Sequence, residues 1–189
     1  IGKKYEIAMT DSLAKEYTGA SPDHIAKEIE LKFSVDGVAY INDVLEYVAK
    51  QELNDLSLKP GVKEMLTYLQ SFKIPMAVAS GSPRALIDRN LKLVDIDAYF
   101  SVIVSTQEVE HGKPAPDIFL EAAHRLNVDP KHCFVFEDAI NGVHAGVSAG
   151  CKTIMIPDRL KPEKDFYKTT YGIFDNLHAA MNQIKCMME

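Results

Sequence analysis

From Leu58 onward, short apolar runs alternate with stretches whose apolar residues recur every three to four positions. Val62, Met65, Leu66 and Leu69 make a helical stripe after the turn Lys59-Pro60-Gly61. The runs Pro75–Ser80, Phe100–Ser105, His132–Phe136 and Thr153–Ile156 are apolar without polar alternation, the pattern of strands buried on both faces. Between them the spacing predicts helices over Pro83–Leu93, Ala115–Leu126 and Ile140–Ala149, then a polar loop and a last helix over Asn176–Cys186. Strand and helix in alternation predict an α/β fold, a doubly wound parallel sheet. The first part of the chain reads differently. Ser21-Pro22-Asp23 is a helix start, Ile25, Ile29 and Leu31 have helical spacing, and Val44, Leu45 and Val48 share one face. The expected organisation is a helical unit over 1–57 and an α/β unit over 58–189.

Composition narrows this without redirecting it. Hydrophobic residues are 47% of the 189 and charged residues 25%, ordinary for a globular chain. A formal charge of −6 with no basic run argues against nucleic acid and anionic membrane surfaces as partners. No apolar run is long enough to cross a bilayer. Cys133, Cys151 and Cys186 have no metal-ligand spacing and read as reduced thiols of a cytoplasmic protein.

In an open parallel sheet, ligands bind beyond the carboxyl ends of the strands. The first predicted strand ends in Ala79-Ser80-Gly81-Ser82, the second leads to His111-Gly112-Lys113-Pro114, and the third ends in Phe136-Glu137-Asp138. Ser80 can donate a hydrogen bond to a phosphoryl oxygen, and Gly81 lets a backbone N–H approach closely. Lys113 supplies a point charge. Glu137 and Asp138 are hard oxygen ligands of the kind Mg²⁺ takes beside water and substrate oxygen. Phosphoryl transfer needs positioning and charge neutralisation, which these groups supply. Each has a plainer explanation taken singly: a turn at Ser80-Gly81, a solvated charge at Lys113, a helix cap at Asp138. Their joint placement at three strand ends does not.

The stretches Val78–Arg84, His111–Phe119 and Phe136–Val143 resemble the second, third and fourth motifs of the haloacid dehalogenase superfamily. They are most similar to its branch of phosphatases and β-phosphoglucomutases with a helical cap. The resemblance implies that Ser80 is the second-motif hydroxyl and Lys113 the third-motif lysine. It makes Asp138, with help from Glu137, the Mg²⁺ carboxylate, and Gly81 and Ser82 part of the phosphate loop. It also implies that the helices before Leu58 are a cap, opened by Ile1–Glu6, and that the fold is a Rossmann-like core with a partial helical cap.

The family's first motif is an Asp-x-Asp pair on a central strand; its first Asp forms an aspartyl phosphate. By this resemblance the motif should lie before the cap, hence before Ile1. Two segments come nearest. Thr10-Asp11-Ser12 lacks a second Asp. Phe33–Val38 carries Ser34 and Asp36, but too close to Ser80 to leave room for a cap. The expectation is that this sequence starts inside the cap and that the natural protein is longer, with the nucleophile upstream. A mid-sheet strand would then lie between the strand ending at Ser80 and the one ending at Glu137.

Three functions stay open. The leading one is a Mg²⁺-dependent phosphatase acting on a small cytosolic phosphorylated metabolite such as a sugar phosphate. A sugar phosphomutase needs a second phosphate site; the cap position that supplies an arginine in β-phosphoglucomutases falls at Tyr5, with Lys3 and Lys4 as substitutes. A non-catalytic phosphate-binding or interaction protein is the third.

Overall fold

The computed structural model describes residues 1–8, 10–17, 20–157 and 169–188. Eight helices of seven residues or more are described: α1 Asp11–Tyr17, α2 Pro22–Phe33, α3 Gly37–Asp55, α4 Val62–Ser71, α5 Arg84–Leu93, α6 Asp117–Leu126, α7 Ile140–Ser148 and α8 Leu177–Met188. Five parallel strands run between them: β1 Ala77–Ser80, β2 Val102–Ser105, β3 Phe134–Glu137, β4 Lys152–Met155 and β5 Gly172–Ile173.

The strands form two ladders, β1–β2 and β3–β4–β5. Among the described residues, β1 and β3 are not paired, so the sheet is interrupted between the strand that ends at Ser80 and the strand that ends at Glu137. One apolar cluster nonetheless runs beneath both ladders. Val104 of β2 and Val135 of β3 meet Ile118, Phe119 and Ala122 of α6 and Ala145 of α7. Alternate residues face the other way. Phe134 and Phe136 of β3 and Ile154 of β4 pack with Met65 of α4 and with Ala180 and Ile184 of α8. Period-two alternation on each strand thus feeds a helix layer on each face, which is the doubly wound arrangement.

The helical first part has its own cluster, in which Ile7, Tyr17, Ala26, Ile29, Tyr40 and Ile41 are buried together. α2 starts where Ser21 caps it, its Oγ accepting from the His24 N–H at 3.2 Å with Pro22 at the first position. It stops at Ser34, which takes a left-handed conformation at φ 55°. Asp36 then opens α3 by accepting the Ala39 N–H at 2.8 Å. Both residues that gave Phe33–Val38 its motif-like look are therefore helix punctuation. Thr10 accepts the Leu13 N–H at 3.2 Å at the start of α1, so the segment around Asp11 is a helix entry and not a strand.

Several predicted boundaries move, β2, β3, β4 and α6 by one or two residues among them. β1 begins at Ala77, not Pro75, because proline has no N–H for a ladder. α3 extends well beyond the Val44–Val48 stripe, to Asp55. The loop predicted after β4 contains β5, held where Tyr171 N–H donates to Thr153 O at 2.8 Å and Phe174 N–H to Met155 O at 3.0 Å. Two residues, one of them glycine, carry no periodicity that could announce a strand. Cys133 and Cys151 are free thiols, and burial pushes Cys151 up to about 11; the side chain of Cys186 lies outside the described residues. Among the described residues no helix is long and apolar enough to cross a membrane.

Candidate active site

Lys113 lies where the sheet is interrupted. Its ammonium donates to the Ala79 carbonyl of β1 at 3.2 Å and to a Glu137 carboxylate oxygen of β3. It thereby joins the two ladders through one side chain. The charges are well enclosed, with the Lys113 side chain 9% exposed and that of Glu137 10%. The ammonium also sits 4.9 Å from the centre of the Phe119 ring, a favourable cation–π placement. Removing either partner of so enclosed a pair leaves the other unpaired in poor contact with water, a cost of about 3–5 kcal/mol.

The local sequence explains this arrangement. The Lys113–Pro114 peptide is cis. α7 begins three residues after Glu137, and Gly142 on its first turn faces back to the carboxylate. A Cβ at Gly142 would lie 2.1 Å from Glu137 Cδ and 2.4 Å from its Oε1. The spacing Glu-Asp-x-x-x-Gly is thus a steric requirement: the glycine is the hole that the Glu137 carboxylate fills.

Ser80 ends β1 opposite Ser105 of β2. Its Oγ accepts the Ser82 N–H at 3.2 Å, and Ser105 donates to the Ser82 carbonyl at 2.7 Å, so the Ser80-Gly81-Ser82 loop is fixed from both sides. Ser105 and Glu108 form a reciprocal cap on the turn after β2. The Arg125 guanidinium beside Glu108, together with the Ser105 N–H, holds the Glu108 carboxyl below its ordinary range.

Asp138 is half exposed and pairs with the ammonium of Lys59 at 3.1 Å. It does not cap α7; Ala139 holds that position without a side-chain bond. Asp138 thus presents a carboxylate that already draws a cation. Glu137 is engaged by Lys113. Among the described residues, no group of three or more His, Cys, Asp or Glu stands close enough to hold a metal. The Asp138 carboxylate is a hard oxygen donor of the kind Mg²⁺ takes beside waters and substrate oxygen.

Lys3 and Lys4 lie on the turn Gly2–Tyr5. Lys4 pairs with Asp43 of α3, and the Tyr5 hydroxyl donates to the same carboxylate at 2.7 Å. The Lys4 contact lowers Asp43 and raises Lys4 itself. Of the sequence-predicted residues, then, Lys113 and Glu137 are in direct contact at the ladder ends that carry Ser80 and Asp138, while Lys4 is tied within the helical part. Sequence reasoning did not single out Lys59, Thr106 or Gly142 as acting individually. The Glu-to-Gly spacing was the one signal available for Gly142.

Residues 2–156 match the family described as haloacid dehalogenase-like hydrolase, and the chain belongs to it. Among its relatives is the bifunctional riboflavin kinase/FMN phosphatase of Arabidopsis thaliana, 36% identical over 154 residues, or 81% of this chain and 40% of that protein. Another is a phosphorylated carbohydrates phosphatase of Thermotoga maritima, 40% identical over 99 residues, or 52% of this chain and 46% of that protein. The chain therefore aligns with less than half the length of either. The β-phosphoglucomutase of Clostridium difficile has the same fold, with a TM-score of 0.79 over 98% of this chain and 87% of that one at 21% identity.

Proposed function

We propose that this chain is the greater part of a Mg²⁺-dependent phosphatase of small phosphorylated metabolites, and that its nucleophile lies on a further parallel strand between β1 and β3. The observation that carries the reading is the interrupted sheet bridged by Lys113, whose charge stands beside the carboxyl ends of β1 and β3. A strand there would pair the backbone groups that two sheet edges otherwise leave open. Residues 58–189 then form the core that receives it, and residues 1–57 a cap.

In this reading each residue has a defined task. Ser80 turns its O–H to a phosphoryl oxygen while its Oγ keeps the Ser82 N–H. Lys113 has three N–H donors, of which Ala79 O and Glu137 take two, leaving one to a phosphoryl oxygen. Glu137 positions that ammonium. Asp138 is the residue that would hold Mg²⁺, which when bound neutralises phosphoryl charge. Ser80 has no His or other base near it in sequence to make it a nucleophile. The cytoplasm is the compartment this chemistry and the reduced thiols suit. A mutase reading finds less support, because Lys4 is engaged with Asp43.

The test is turnover of a generic aryl phosphate with Mg²⁺, by the 189-residue chain and by the protein carrying its natural upstream residues. The expected result is hydrolysis by the longer protein only. Robust turnover by the 189 residues alone would place the nucleophile within them, and Asp36 and Asp11 would be the first positions to change.

A further inference from the structure

β3 and β4 run parallel, with Phe134 opposite Lys152 and Glu137 opposite Met155. The ladder continues one step further toward the amino ends, where the Lys152 N–H donates to the Cys133 carbonyl at 2.9 Å. Cys133 and Cys151 therefore stand at opposing register positions, each one residue before its strand. They also share a face. Two residues on, the side chains of Val135 and Thr153 both turn to α7: a Cβ at Gly146 would lie 3.2 Å from Val135 Cγ1 and 2.5 Å from Thr153 Oγ1. Cys133 is extended, at φ −89° and ψ 139°, so alternation along the strand puts it on the same side as Val135, and Cys151 on the same side as Thr153. Cys151 packs there against the cluster that holds Val104, Val135 and Ala145.

The backbone is held at both positions. The Cys133 N–H donates to the Pro130 carbonyl at 2.9 Å, and the Cys151 N–H to the Gly146 carbonyl at 3.1 Å. Neighbouring strands stand about 4.7–4.9 Å apart, inside the window of roughly 4.4–6.8 Å between Cα atoms that a disulfide spans. Both residues are half-buried free thiols. Burial raises both, Cys151 to about 11, and Cys133 is a further cause of the rise at Cys151, so each lies within electrostatic reach of the other. Among the described residues no group of three His, Cys, Asp or Glu is placed to hold a metal, which leaves the two sulfurs as a dithiol.

We infer that Cys133 and Cys151 are a modification site: they form a reversible intramolecular disulfide that staples the amino end of β3 to that of β4, with a low-molecular-weight disulfide as the co-reactant. In the first step the thiolate of one cysteine attacks a sulfur of the co-reactant, and a mixed disulfide forms as one small thiolate leaves. In the second step the other cysteine attacks the protein sulfur of the mixed disulfide and expels the second small thiolate. The two protein thiols give up two electrons and two protons, and the co-reactant takes up both and departs as two thiols. Because burial keeps both cysteines protonated at neutral pH, the exchange is slow. The bond closes residues 133–151, a loop that contains β3 and α7, and so constrains the unfolded chain more than the folded one. The inference is independent of the phosphatase reading, since Cys133 lies about 13 Å of strand from Glu137.

The experiment incubates the folded 189-residue chain with oxidised glutathione for hours, blocks the remaining thiols, and digests without reductant. A glutamyl endopeptidase cuts after Glu137 and so separates the two cysteines. The expected product is one pair of peptides linked through Cys133 and Cys151, lost again when dithiothreitol is added. The linked chain should melt about 5 °C or more above the reduced one. Cys133→Ser and Cys151→Ser should each keep a glutathione adduct on the remaining cysteine of the pair and show no such rise. If either variant fails to fold by circular dichroism, the peptide map of the unaltered chain decides. Adducts that never resolve into the linked pair, a link that joins either cysteine to Cys186 or to a second chain, thiols that stay free in the folded chain, or a linked chain that melts no higher than the reduced one would each overturn the inference.

Discussion

The α/β part and the helical part of this chain treat charge in opposite ways. In the α/β part the central ion pair, Lys113 with Glu137, is enclosed to about a tenth of its free exposure and is shaped by a glycine that leaves room for it. In the helical part the charged contacts are open to water: Lys4 with Asp43 and Lys50 with Glu46 have lysine side chains 64% and 68% exposed. Apolar exposure differs in degree only: Val104, Ile118, Ile154 and Met155 of the α/β part are fully enclosed, as is Ile29 of α2, while the most exposed large apolar side chains, Leu31 and Val38 at 79% and 61%, belong to α2 and α3. An enclosed charge holds its geometry against solvent, and an open one does not. On the proposed reading the α/β part holds the reacting groups and the helical part covers them.

That contrast can be broken at several points. The largest effect is expected at Asp138→Ala in the protein that carries its upstream residues, which should lose nearly all turnover together with its response to Mg²⁺, read as a titration of rate against metal. Gly142→Ala comes next. A methyl group placed 2.1 Å from Glu137 Cδ must push the carboxylate off Lys113. The variant should lose about 1–3 kcal/mol of stability in a denaturant titration, and phosphate affinity with it.

The apolar contrast follows. Ile154→Ala in the shared core should cost about 2–5 kcal/mol, while Leu31→Ala on the open face should stay within about 0.5 kcal/mol; comparable losses would erase the distinction between the two parts. Smallest is a pH effect. Glu108 has a folded value below its ordinary 4.5, so its stabilising contribution is present above that value and is lost as pH falls through the folded one. The melting-temperature gap between wild type and Glu108→Gln should therefore be full at pH 7 and narrow on acidification; a gap that widened would contradict the assignment.

The same contrast accounts for what could be read from the sequence. The strands of the α/β part announce themselves because two buried faces demand uninterrupted apolar runs. The site residues do so because a parallel sheet delivers its chemistry at strand ends. Ser80, Lys113 and Asp138 were legible as candidates for that reason. The partner of Glu137 was not: a carboxylate after a strand suits a metal or an ammonium equally, and only the fold brings Lys113 to it from 24 residues away. Lys59 was hidden more deeply, since its contact with Asp138 spans 79 residues. In the helical part the caps Ser21 and Asp36 were each visible as residue types, yet Asp36 resembled a catalytic motif until its Oδ1 was seen to accept the Ala39 N–H. Local chemistry identifies a cap and a nucleophile by the same letters, and tertiary placement separates them.

In the proposed reading Lys113 is the charge that holds a phosphoryl group between the two ladders. Titration of the 189-residue chain with inorganic phosphate, compared with its Lys113→Ala and Lys113→Met variants, tests this directly. Wild type should bind phosphate, and both variants should lose about a hundredfold or more in affinity, in line with removing a principal electrostatic donor from an enclosed site. Circular dichroism should report an intact fold. Phosphate affinity that is the same in a folded Lys113 variant as in wild type would contradict the account.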